Sequence, residues 1–456
     1  MFVISRGAAA ALGFHFDLEW LTLSVQNIDQ RLLKTRLLES LWHLHGQPPL
    51  WNALLGVSLQ TGGAVWPRIW HLMFLGLGLV ESLALFALLV ELRIPKRPAA
   101  IVAAAFSVSP AVLVYENMFF YDYPTLVLLT LTALAVARFV ARPSPGRGLL
   151  LFSSAASLAL MRTLFQWPWL LLVLALVLVA CPGHRRTALL SCAIPFLLVA
   201  GVIAKNWAMY DVPSTTSWGG MMLARAAVTS LPLSERRRLV AQGKLHNVSL
   251  VTPQSALADY EAVGIKPATR TGVPMLDEPG DEYFPRNLEN RTYIRISSLY
   301  LKDDLWIIEH RPGAYLRSVG RGVADFFASP TIALTGPGRN TEKIRGYDHW
   351  FNRLVYGTFG LGKDGVFLIA MYVFALAVGV WTALRGFRPG ADTATVVIAF
   401  SLLAILYLGL VGNFGEVGEN YRFRFVLDPL ALSLAAAGIH RLIHAAARHH
   451  ASSAPV

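Results

Sequence analysis

Four short stretches of this 456-residue chain carry residue types that could do chemistry. The first, GFHFDLEW, offers Asp17 and Glu19, and Asp29 follows in SVQNIDQ. A carboxylate placed there could accept a proton from an attacking hydroxyl. Asp17 and Glu19 could equally cap an interfacial segment, with Asp29 a solvated helix residue. The second, HLHGQPPLWN, sets His43, His45 and Gln47 beside Pro48 and Pro49, where proline opens a helix in the ordinary way. A metal site built on His43 and His45 would need a third ligand and a better spacing. The third, YENMFFYDYP, holds Glu116 and Asp122 among Tyr115, Phe119, Phe120, Tyr121 and Tyr123. Interfacial tyrosine accounts for the aromatics but not for two carboxylates. The fourth, GNFGEVGENYRFRF, presents Glu416, Glu419, Arg422 and Arg424. Its arginines suit a phosphate or diphosphate headgroup, or internal pairing with the glutamates. Arg162 and Lys205 are further cations at span ends, where snorkelling is the simpler account.

The elements that must position these groups are membrane helices. The chain is 55% hydrophobic and 15% charged with a mean hydropathy of +0.49, against roughly 25% charged in soluble domains. An ordinary soluble enzyme is excluded, and the class is an all-α polytopic membrane protein. The net charge of +12 gathers in short links between apolar blocks, around Arg93 to Arg97, Arg142 to Arg147, His184 to Arg186 and Arg385 to Arg388. Cytoplasm and lipid headgroups explain that placement better than nucleic acid. Apolar windows predict spans near 69–92, 98–115, 124–141, 148–164, 168–182, 187–206, 365–386, 393–412 and 426–444.

With the basic links inside, residues 115–123, the 162–168 turn, 207–364 and 413–424 all fall outside. Met1 to Gly13 reads as the second half of a span, either a tilted partial helix or the product of a start codon placed too late. Residues 49–61 are too short to cross and fit an interfacial helix. Before them, Ile28, Leu32, Leu33, Leu37, Leu38 and Leu41 recur at helical spacing. Three regions follow: 1–206 with a first outer loop at 14–66, an outer segment at 207–364 that leans on the membrane helices, and 365–456. Within the outer segment, Pro274 to Pro285 reads as irregular and Tyr293 to Phe327 as periodic. Cys181 and Cys192 form neither a disulfide framework nor a zinc pattern. No nucleotide-binding fingerprint or nucleophile elbow is present.

Taken in order along the chain, these features resemble the GT-C superfamily of membrane glycosyltransferases, which includes protein O-mannosyltransferases and the aminoarabinose transferase of lipid A. The residues carrying the resemblance are Asp17 or Glu19 after the first apolar stretch, Gln47-Pro48-Pro49-Leu50, the Tyr115 to Pro124 turn, and Glu419 to Pro429. The chain departs from the family in its shortened first span and in lacking the adjacent Asp-Glu pair of the mannosyltransferases. The resemblance implies a bundle of about 9–11 transmembrane helices in a bacterial inner or plasma membrane. It also implies inverting transfer of a sugar from a polyprenyl-phosphate donor to a glycan, lipid or protein acceptor at the outer face, among membrane lipids and with no nucleic acid partner. The base would be Asp17 first, then Glu19 or Asp29. Glu116 or Asp122 would orient the acceptor, His45, Gln47, Arg162 and Glu419 would complete the substrate-binding set, and Arg422 and Arg424 would hold the carrier phosphate. No cofactor follows beyond the lipid-linked donor, and no ligand set for a divalent metal stands out. The rival classes are a transporter or lipid flippase, for which Glu81 inside a span is the pointer, and an O-antigen ligase or polymerase.

Overall fold

The computed structural model describes residues 1–280, 286–355 and 366–452. The predicted boundary at 364/365 and the end of the Pro274 to Pro285 stretch lie outside the described residues. The helices that frame the site are α1 (Phe2–Ala11), α2 (Pro49–Thr61), α3 (Trp66–Glu91), α4 (Lys96–Ser107), α5 (Pro110–Glu116), α6 (Asp122–Ala141), α7 (Pro145–Met161), α8 (Trp167–Ala180), α9 (Arg185–Tyr210), α10 (Thr292–His310), α11 (Pro312–Phe326), α12 (Val366–Gly386), α13 (Thr393–Gly415) and α14 (Asn420–Ser452). Among the described residues the fold is all helical, with one isolated bridge pairing Asp17 and Met118.

Among the described residues six helices are long and apolar enough to cross a membrane, or seven if α4 and α5 count as one broken pass. That is fewer than the nine windows predicted. The second window is bent by 60° between α4 and α5, where Pro110 has no N–H to continue the ladder. Backbone carbonyls freed in an apolar setting need donors, and both find one. Arg6 donates to the Ser107 carbonyl at 2.8 Å, and the Tyr347 hydroxyl donates to that of Val108 at 2.9 Å. α7 and α8 are short for a different reason, having only 17 and 14 residues between proline-bearing turns.

The helices nonetheless alternate between two ends. At one end the basic links meet: Arg93 lies 3.5 Å from Asp392, Gly390 donates to the Ala180 carbonyl, and Ser191 to that of Pro145. At the other, the turn end, Asp122 meets Arg162 and Arg422, while Ser214 and Thr215 donate to Gln166. Large apolar side chains such as Leu190, Leu197 and Trp381 remain exposed along the flanks, which suits contact with lipid tails.

In the first loop, the stretch of helical spacing forms two short helices at Gln30–Thr35 and Leu37–His43. The backbone turns at Arg36, so Leu33 and Leu37 are buried while Leu38 points outward at 82% exposure. α2 lies beneath them, with Trp51 Nε1 donating to Asn27 at 2.9 Å. The 207–364 segment does more than lean on the bundle. Trp218, Met221, Leu239, Tyr260, Tyr293 and Tyr300 make a second apolar core. α11 then ties it to the membrane helices, Tyr315 donating to the Phe414 carbonyl at 2.7 Å.

Candidate functional site

Asp17 is held by backbone before its side chain does anything. Its N–H donates to the Asn117 carbonyl (2.8 Å) and its own carbonyl accepts from Phe119 (2.9 Å), so the segment around Asp17 lies along the 117–119 turn. A second clamp comes from the far side of the chain, where Asn340 both accepts from His15 N–H and donates to the His15 carbonyl. The loop that delivers Asn340 needs left-handed backbone at Gly336 and Gly338, which glycine adopts without penalty. Beside Asn340, Arg339 pairs with Asp17 at 2.9 Å and with Glu19 at 2.8 Å. Asp17, Asn117, Met118, Arg339 and Asn340 line a recess of about 10 Å³, room for about one water. The Asp17 side chain is 13% exposed and that of Glu19 is 52% exposed.

At the start of α6 the carboxylate of Asp122, fully buried, lies between two guanidinium groups. Arg422 donates to it at 2.7 Å, and Arg162 lies 2.6 Å off as an ion pair without hydrogen-bond alignment. Arg422 also bonds Glu419 at 2.5 Å, and Arg225 pairs with Glu416. Three acids and three arginines thus share the turn end. Arg422 beside Glu419 holds that carboxyl below its usual range, whereas burial pushes Glu416 up, with Arg225 opposing. Aromatic rings join this network to the Asp17 segment. Arg339 sits over Trp20, Trp20 packs on Phe120, and Arg422 lies 4.5 Å from the Phe120 ring. Beside Arg225 opens a cavity of about 410 Å³ lined by Arg225, Thr229, Ser318, Arg321, Asp325 and Val417.

Other predicted site residues are spent on internal bonds. Glu116 is buried against α1, accepting from Arg6 at 2.8 and 2.5 Å and from the Tyr123 hydroxyl. Gly78 makes that pair possible, since a Cβ there would lie 1.9 Å from the carboxylate. Arg424 does not face the network. It points into the bundle, fully buried, with two 2.8 Å bonds to Asp428 and others to the Phe326 and Ala328 carbonyls. That is a correction to its assignment as a phosphate ligand. Asp29 is the cap of the Gln30–Thr35 helix, accepting from Arg31 N–H at 2.7 Å and pairing with the Arg31 guanidinium at 3.2 Å.

His45 and Gln47 are buried where the first loop meets the second core. Burial pushes His45 down to about 3, so the ring is neutral. Nε2 faces the Glu289 carbonyl at 2.9 Å and must donate, which leaves Nδ1 to accept from Ser217 at 2.7 Å. Glu289 accepts the N–H groups of His45 and Gly46, and burial raises it to about 7 against their pull. His43 contacts Tyr210, and Lys205 donates to the Leu44 carbonyl.

Arg339, Arg225, Arg321 and Glu289 were not anticipated from sequence. The one available signal was Gly-Pro-Gly-Arg-Asn at 336–340, a turn pattern presenting a cation. The chain matches no known family model, no curated protein and no solved structure.

Proposed function

We propose that the chain is an integral-membrane glycosyltransferase of GT-C type, moving a sugar from a polyprenyl-phosphate donor to an acceptor hydroxyl at the outer membrane face. Asp17 takes the proton of the acceptor hydroxyl, the freed oxygen attacks the anomeric carbon, and the bond from that carbon to the phosphate oxygen breaks. The leaving phosphate gains negative charge. Arg339 is the cation next to the base and a fixed donor for the developing charge, and Arg225 and Arg321 line a separate cavity at the same end of the bundle. Asp122, Arg162, Arg422 and Glu419 brace the same end of the bundle through their mutual ion pairs.

Support comes from one observation: three segments remote in sequence, at residues 15–19, 117–122 and 416–422, meet at the same end of the bundle. A second reading, transport, has Glu81 in its favour. That acid is 2% exposed within α3, bonded to Thr130 at 3.0 Å, and intramembrane acids often mark proton or ion paths.

The test is reconstitution with labelled polyprenyl-phosphate sugars. Asp17→Asn is expected to lower transfer by about 10²-fold or more with an unchanged melting temperature. Full activity in that variant would remove Asp17 as the base. A wild type that carries lipid across the bilayer without transferring sugar would replace the enzyme with a transporter.

A further inference from the structure

The turn end has a larger cavity than the one beside Arg225. A groove of about 1190 Å³ runs between the end of α9, the 211–220 loop and α10. One wall is a row along α10 and its N-cap: Arg291, the cap, with Arg295, Ser298 and Lys302 stand at i, i+4, i+7 and i+11, a single helical face. The row is about 16 Å long at 1.5 Å per residue. Among the described residues, none of its three cations has an ion pair or a side-chain hydrogen bond, and Asp211 is the one acid in the lining. The opposite wall starts at Trp207, 62% exposed in the last turn of a membrane-crossing helix whose flank at Ile194, Leu197 and Leu198 is also exposed. Ile294, Leu299 and Leu301 add apolar surface between the cations.

We propose that this groove binds the phosphate-bearing headgroup of a membrane amphiphile, with the α10 cations on the phosphate and Trp207 at the interface beside its acyl chains. A concave, singly charged wall focuses potential on an anion. An aromatic ring at a span end marks headgroup depth. Charge complementarity selects the phosphate, and the opening beside an exposed span selects a lipid over a free ion. The site is separate from the Asp17 recess, and its test reads no sugar transfer.

Native mass spectrometry of the purified chain in a neutral detergent would count bound dioleoyl phosphatidate, with dioleoyl phosphatidylcholine and inorganic phosphate as competing arms. The wild type is expected to retain one phosphatidate at a concentration at least about tenfold below that needed for phosphatidylcholine, the size of change that about 1.4 kcal/mol produces. The triple variant Arg291→Gln, Arg295→Gln, Lys302→Gln loses that preference, whereas Arg225→Gln keeps it. Because exposed charges are screened by salt, 0.5 M potassium chloride should weaken phosphatidate binding to the unaltered protein, a readout independent of variant folding. Equal retention of the two lipids, an undiminished preference in the triple variant, or insensitivity to salt would each overturn the proposal. Displacement by inorganic phosphate at the same concentration as phosphatidate would overturn its lipid half and leave a free-anion site.

Discussion

The turn end holds two sets of cations that differ in what surrounds them. Arg162, Arg225 and Arg422 are buried or half-buried, and each has an acid within ion-pairing distance. Arg291, Arg295 and Lys302 line an open groove with no such partner among the described residues. A buried charge is tolerated only when compensated, so the pairing of the first set is part of the fold. An exposed charge needs no partner to persist, so the second set can change without harm to folding and is free to meet an anion. Breaking buried pairs and trimming the open row should therefore have unequal consequences.

The largest effect is expected at Asp122. Asp122→Ala leaves Arg162 without its acid and Arg422 with Glu419 alone, and breaking buried pairs of this kind costs on the order of 3–5 kcal/mol. Thermal melting of the purified variant should show it, and a melting temperature like that of the wild type would mean that water already solvates the network. Arg424→Ala comes next, with a loss of roughly 3 kcal/mol because Asp428 is stranded. Its transfer rate per folded molecule should be unchanged, and a selective loss of transfer would restore Arg424 to the site.

A third test concerns α10 itself. Burial, with Asp303 beside it, raises Asp304 to about 9, whereas an unfolded aspartate titrates near 3.9. Between those values the folded chain holds a proton that the unfolded chain has released, so stability falls as pH rises. Asp304→Asn removes that dependence. Its stability relative to wild type should grow between pH 5 and pH 8, at up to about 1.4 kcal/mol per pH unit, and a difference constant with pH would refute the protonated state. The smallest effect belongs to the groove, where Arg295→Ala should shift stability by no more than about 0.5 kcal/mol. A larger shift in melting temperature would mean that the row is structural after all.

The alternation of apolar blocks with basic links was readable without coordinates, and it is enough to bring the 115–123 turn and the 413–424 segment to one end. The partners were not readable. Arg339 reaches Asp17 across 322 positions, and nothing local in Gly-Pro-Gly-Arg-Asn says which carboxylate it will meet. Arg422 and Arg424 looked like one pair because the last span was expected to begin at 426. α14 in fact begins at Asn420. Two residues apart on a helix lie about 200° apart around its axis, so one arginine faces Asp122 and the other the bundle interior. Glu116 and Asp122 were equivalent acids on one turn until Arg6 claimed the first.

The brevity of α8 carries a mechanical consequence. Its 14 residues reach about 21 Å at 1.5 Å per residue, yet they join Gln166 at the turn end to Ala180 at the other. Leu171, Leu172 and Val179 on its flank are partly exposed. Matching such a stretch would require a hydrocarbon layer of about 30 Å to thin beside it, or flanking residues to snorkel. In a layer that thins, acyl chains alongside it would be compressed, and the surrounding leaflets would dimple towards the protein.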